Sequence, residues 1–232
     1  PPGDPFVAAV RGAGEGRLGA GDLLWARAAA HAELALVLEP DVACERAIEM
    51  GPLLWVAVVD GLAASMPPKT SLLLRWPDIV LVNGGAAGQL RFASAPAVAG
   101  EVPAWLVIGV SLQLASISEL REPGEAADRT SLVEEGGGEL TSGRLIESIA
   151  AHILTWINIW QDEGFRPIHD AWVGRVEGYD GNALVRHRNE EVRGRVRGLD
   201  ATLALIVEPA QGPERAFALA DLFDACQERA PS

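Results

Sequence analysis

Short, continuously apolar runs recur along the first half of this chain, and two long stretches with helical periodicity interrupt them. Asp22–Ala26 (DLLWA), Leu34–Leu38 (LALVL), Ser71–Arg75 (SLLLR), Ile79–Val82 (IVLV) and Trp105–Val110 (WLVIGV) have the length and character of strands buried on both faces. Such strands must be covered by helices. The first long stretch starts at Pro40-Asp41 and places Val42, Ala43, Ala47, Met50, Leu54, Val58 and Leu62 three or four residues apart. Asp41 is its expected N-cap, and Gly51-Pro52 should kink or break it midway. The second follows Thr141-Ser142, with Leu145, Ile149, Ile153, Trp156 or Ile157, and Trp160 as its buried stripe and Gly164 as its C-terminal stop. The pattern predicts an α/β (α+β) fold, a sheet flanked by helices.

Turn chemistry adds detail. Asp4 and Pro5 suit the start of a short helix over 4–12, and the glycine-rich stretch 12–21 reads as a flexible connection. Asn83-Gly84-Gly85 predicts a hairpin whose second strand includes Leu90–Ala93. Residues 118–140 read as a polar surface loop, and 166–174 as a short helix. After Gly178 the runs ALVRH, EVRGRVRGL, ATLALIVEP and RAFALADLF follow at short, regular intervals, the pattern of a small β-barrel. The domain boundary is therefore expected near 178, giving domains 1–178 and 179–232.

Composition excludes several kinds of function. Across 232 residues the net charge is −13, which argues against general nucleic-acid or anionic-membrane binding. No apolar run is long enough to span a membrane, and the first residues lack a signal-peptide core. Two cysteines (Cys44, Cys226) cannot form a disulfide framework, and four scattered histidines predict no metal cluster, so a cytoplasmic setting is expected. Of 19 basic residues only Lys69 is lysine. A catalytic ammonium must therefore be Lys69 or the N-terminus.

Candidate chemistry is sparse. The glycines at 12–21 follow a helix and precede a strand, the wrong order for a phosphate cradle. Arg75-Trp76-Pro77-Asp78 is either a ligand-site wall or a core tryptophan with a turn proline. Cys44, in the first turn of a helix, is a nucleophile with a lowered pKa if a base such as His31 or His152 lies near, and otherwise a buried filler. His169-Asp170 reads as a solvent-facing pair. Arg186, Arg188, Arg193, Arg195 and Arg197 form a basic strip. The last three share one strand face, either a docking surface for an acidic partner or a charged edge that prevents aggregation.

Five segments in order resemble the biotin–protein ligase family and, more loosely, the lipoate ligases: LALVLEPD before a long helix, RWPD-IVLVNGGAAGQL, LVIGVSLQL, RTSLVEEGGGELTSGRLIESI, and the tail from Gly181 onward. The resemblance implies a class II synthetase-like mixed sheet flanked by helices, with an SH3-like C-terminal barrel. It also implies biotin or lipoate and ATP as ligands, a small carboxylate or acyl-adenylate pocket, a protein partner through the C-terminal domain, and a homodimer. By the same resemblance the pocket comprises Trp76, Asp78, Gly85, Ala87, Gly88, Gly109, Ser111 and Gln113. The departures are specific. The family's catalytic lysine falls at Gly85, its WPND loses the asparagine, the asparagine of its GIN segment becomes Gln113, and its glycine- and arginine-rich loop shrinks to RAAAHAE with only Arg27. An alternative alignment would place that loop at GEGRLGAG and keep Arg17. Three functions follow: a ligand- or partner-binding protein that has lost acyl activation; a divergent active ligase or acyltransferase, with Cys44 as an acyl carrier; and a structural or regulatory module.

Overall fold

A computed structural model describes residues 3–115, 128–179, 181–187 and 190–223. Arg188 and Cys226 lie outside them. The elements in chain order are α1 (Pro5–Gly14), β1 (Leu23–Arg27), β2 (His31–Leu38), α2 (Cys44–Ala47), α3 (Met50–Ala63), β3 (Leu72–Arg75), β4 (Ile79–Val82), β5 (Gly85–Ser94), β6 (Leu106–Gln113), α4 (Ser142–Glu163), α5 (Arg166–Val173), β7 (Asn182–His187), β8 (Glu190–Leu199), β9 (Ala204–Pro209) and β10 (Arg215–Ala218). The first six strands form one sheet in the order β1-β2-β6-β5-β4-β3, and the last four a second in the order β10-β9-β8-β7. The expected fold class is present, an assembly of helices on antiparallel sheets. Parallel contact is confined to isolated bridges such as Leu74 with Val176. The C-terminal barrel is not closed: among the described residues its strands form an open sheet with β10 and β7 at the edges.

Register explains which face of the large sheet is covered. Leu34, Val110 and Leu90 are cross-strand partners, as are Leu36, Ile108 and Phe92. They share a face and join the main core with α3, of whose 14 residues 12 are buried. On the other face Ala35, Gly109 and Arg91 are partners, and Phe6 of α1 lies over Gly109. Helix α1 covers only that end. Farther along, Glu33, Ser111 and Gln89, and then His31 and Gln113, stay uncapped by it.

Local signals explain most element ends. The Asp4 carboxylate accepts from the Phe6 and Val7 amides and pairs with Arg91. Asn83 and Gly84 both take positive φ (50° and 88°), as a tight hairpin turn requires. Thr141 caps α4, and Gly164 ends it at φ 79°. Three expectations change. The first long helix begins at Cys44, with Ala43 rather than Asp41 at its cap, and breaks at Ile48–Glu49, just before the Gly51-Pro52 pair. Residues 12–14 of the glycine stretch are helical. Of the expected surface loop, 118–127 lie outside the described residues and much of 128–140 is exposed, but Thr130–Leu132 is not on the surface. Ser131 and Leu132 are fully buried, because the Ala86 and Thr130 amides bond to Asp128 and Ala86 carbonyls and Leu132 bonds to Gln113.

The two long helices meet at Gly61, where an added Cβ would lie 2.8 Å from Ile149 Cγ1 and 3.0 Å from its Cα. Gly61→Ala should therefore destabilise the fold by about 1–2 kcal/mol in denaturant unfolding, against the ~1 kcal/mol gain usual for that change in a helix. Burial tends to raise the Asp4 pKa, but the Arg91 guanidinium and the two amides hold it below the usual 3.8. Asp4→Ala should cost about 1 kcal/mol at neutral pH. The depressed carboxylate's contribution is present above pH 3.8 and lost as pH falls through its folded value, so the gap between wild type and variant should close in acid.

Candidate functional site

The uncapped end of the sheet is the floor of a cleft of about 540 Å³, a size that suits a small molecule. His31, Gln89, Ser111 and Gln113 line the floor; Arg75, Trp76, Pro77 and Ile79 form one side; and Ala86–Gly88 with Asp128 and Arg129 form another. Leu184 and Arg186 of β7 reach in from the second sheet.

Hydrogen bonds hold the lining in place. Gln89 Nε2 donates to Asp78 at 2.6 Å, Ser111 Oγ donates to Glu33 at 3.1 Å, and Gln113 Nε2 donates to the Ala115 carbonyl at 2.9 Å. Arg75 makes a two-pronged bond to Glu177 (2.6 and 2.9 Å), and that carboxylate strengthens the guanidinium's hold on its proton. Trp76 is a wall and does not fill the cleft. Its buried indole lies edge-on to Trp55 at 5.5 Å, and its Nε1 donates to His187 Nδ1 at 3.3 Å. With Nδ1 accepting, the His187 proton sits on Nε2, which faces Asp221 at 2.9 Å.

Of the eight residues expected in the pocket, Trp76, Ala87, Gly88, Ser111 and Gln113 line the cleft. Asp78 stands behind it and orients Gln89. Gly109 lies under α1, where a Cβ would meet Phe6 at 2.7 Å. Gly85 packs on Thr130, whose Cβ and Cγ2 lie 2.8 Å from the position of an added Cβ. Sequence reasoning missed Gln89 and His31, which join the floor because they pair with Ser111 and Gln113. Arg75 and Pro77, which the sequence offered with Trp76 as a ligand-site wall, do line the cleft, whereas Ile79, Ala86, Asp128, Arg129, Leu184 and Arg186 were missed.

The surroundings of Cys44 do not favour the thiolate. Burial pushes its thiol pKa up, and Glu45 adds to that by accepting from the thiol at 3.4 Å. Residues 28–30 alone connect β1 to β2, with Arg27 opposite Ala32, so the segment after Arg27 is a hairpin turn and not a closing loop. Arg27 lies over the ring of exposed Trp25 at 5.8 Å, away from the cleft lining. Arg17 pairs with Glu15 on the surface. His169 and Asp170 form a partly exposed pair at 3.6 Å. Among the described residues no cluster of metal-binding side chains occurs, and no helix is long and apolar enough to cross a membrane.

A family model, biotin/lipoate A/B protein ligase, matches residues 1–174. The chain belongs to this family. A biotin–[acetyl-CoA-carboxylase] ligase from Paracoccus denitrificans is 28% identical over 200 residues, covering 86% of this chain and 82% of that one. A biotin protein ligase-like protein of unknown function from Silicibacter sp. TM1040 is 30% identical, with a TM-score of 0.83 over 96% of this chain and 93% of that one. The biotin protein ligase of Aquifex aeolicus, solved with biotin and ATP, shares the fold at 14% identity and a TM-score of 0.69, covering 93% of this chain and 92% of that one. Position 85 carries no cation and, with Thr130 packed against it, has no space for a side chain. Lys69, the sole lysine, sits at φ 75° before β3 and does not line the cleft.

Two outcomes test this geometry. His187→Ala should leave the Trp76 indole N–H buried without its acceptor and cost about 1–3 kcal/mol in urea unfolding. Cys44 should react with a thiol-specific disulfide reagent more slowly at pH 7.5 than a free cysteine does.

Proposed function

We propose that this protein binds a small carboxylate-bearing ligand in the cleft and does not drive its activation with ATP. The occupied Gly85 position carries the reading: Thr130 fills the space from which a family lysine would project. Acyl-adenylate formation puts negative charge on the α-phosphate, and a preplaced cation holds it. Losing one such donor typically costs about 10²–10³ in rate. The short β1–β2 turn also provides no loop to close over an adenylate.

The remaining groups fit a small anionic ligand. Gln89, Ser111 and Gln113 provide polar contacts, while Trp76, Pro77, Ile79 and Leu184 supply apolar walls. The charges of Arg75, Arg129 and Arg186 favour a carboxylate. They also sustain a second reading, a divergent active ligase in which an arginine supplies the missing charge, although its planar fork does not reproduce an ammonium. The domain boundary near 178 and a reducing, cytoplasmic location with a free Cys44 belong to the same proposal.

Calorimetry with biotin, lipoate and octanoate, paired with a pyrophosphate-release assay in ATP, separates the readings. Saturable heat with at least one acid and no pyrophosphate above background is expected. Stoichiometric acyl-adenylate and pyrophosphate would overturn the loss of activation. No heat with any of the three acids would overturn this ligand class.

A further inference from the structure

The outer face of the second sheet carries a feature that ligand binding in the cleft does not use. Strand β8 alternates buried Gly194, Val196 and Gly198 with exposed Arg193, Arg195 and Arg197. Cross-strand partners share a face, and the register sets Asn182 opposite Arg195, Leu184 opposite Arg193, and Arg186 opposite Glu191. Leu184 and Arg186 line the cleft. The arginine row therefore runs along the sheet to the cleft mouth.

Neighbouring carboxylates neutralise only part of this row. Glu191 pairs with Arg186 at 2.6 Å, and Glu208 pairs with Arg197 at 3.4 Å. Arg193 and Arg195 form no ion pair among the described residues, although the register sets Glu208, the partner of Arg197, beside Arg195. The chain has 32 acidic residues and a net charge of −13, so two adjacent unpaired arginines are a local reversal of its charge. An aggregation-blocking role fits poorly, because β8 is an inner strand between β7 and β9.

The geometry points to a docking track for an extended acidic segment of a partner protein, laid along β8 and leading toward the cleft. Alternate residues on a strand lie about 6.7 Å apart, and an extended peptide repeats its side chains at the same pitch. Glutamates at every second position would thus fall opposite successive guanidiniums. The phosphates of a nucleoside polyphosphate are spaced much more closely than this. A long nucleic acid would be repelled by the rest of the chain. This track does not depend on which ligand occupies the cleft, nor on whether it is activated.

Fluorescence anisotropy with the whole protein tests the track. The probes are a labelled peptide with glutamate at alternate positions, a peptide of the same composition with its glutamates clustered, and a single-stranded oligonucleotide. The alternating peptide is expected to bind tightest and to weaken as salt rises from about 50 to about 300 mM. Arg193→Glu with Arg195→Glu should reduce its affinity roughly tenfold or more. Arg166→Glu, a reversal on exposed α5, should not change it. If the double reversal fails to fold by circular dichroism, Arg193→Gln with Arg195→Gln takes its place, with a smaller loss expected. Equal binding of the two peptides, tighter binding of the oligonucleotide, or full affinity in the double variant would each overturn the inference.

Discussion

The indole of Trp55, on α3, packs between the large sheet and α5, and the site depends on what it holds. It stacks on Trp172 at 5.9 Å and meets Trp76 and Phe92 edge-on at 5.5 and 6.2 Å. Phe92 in turn touches Phe223. Neither Trp55 Nε1 nor Trp172 Nε1 finds an acceptor among the described residues. Each unpaired N–H costs about 1–3 kcal/mol. Burying each ring gains about 4–6 kcal/mol as an upper figure. Apolar burial outweighs the lost hydrogen bonds, so the cluster is a net source of stability and fixes Trp76 from behind.

From Trp76 the same support passes to the second sheet. The buried His187 joins the tryptophan to Asp221 through its two ring nitrogens. Arg75, the neighbour of Trp76, is clamped by Glu177 after α5. One cleft wall is thus tied to two distant segments. The second sheet shares the main core through Ala183, Val185, Val196, Leu205 and Val207. Its outer face then supplies Leu184 and Arg186 to the cleft and carries the arginine row away from it.

The corner around Gly85 is closely packed. Thr130 packs against Gly85, its hydroxyl donates to Glu135 at 2.6 Å, and its amide donates to the Ala86 carbonyl. Asn83, at the hairpin turn, donates to the other Glu135 oxygen at 2.6 Å. The segment 128–135 thus packs over the β4–β5 hairpin beside Gly85. The cleft stays open next to this packed corner, with Ala86, Ala87 and Gly88 in its lining.

Much of this was legible in the chain itself. The Asp4 cap, the Asn83-Gly84 turn, the Thr141 and Gly164 ends of α4 and the apolar strands follow from local hydrogen bonding, backbone preference and periodicity, which act over a few residues. The alternation of arginines on β8 was equally plain, and so was the absence of lysine at position 85. Other features arise only when distant segments pack. Strand register, not sequence spacing, brought Gln89 and His31 to the floor and hid Gly109 beneath Phe6. Packing of the second sheet brought in Leu184 and Arg186. Burial of Ser131 and Leu132 came from backbone pairing with β5 and β6, which polar composition had concealed. The sequence determined which elements form and that position 85 carries no cation. The tertiary structure alone decided which faces stay open and that Thr130 packs against Gly85, because contacts between residues far apart in the chain have no local signature.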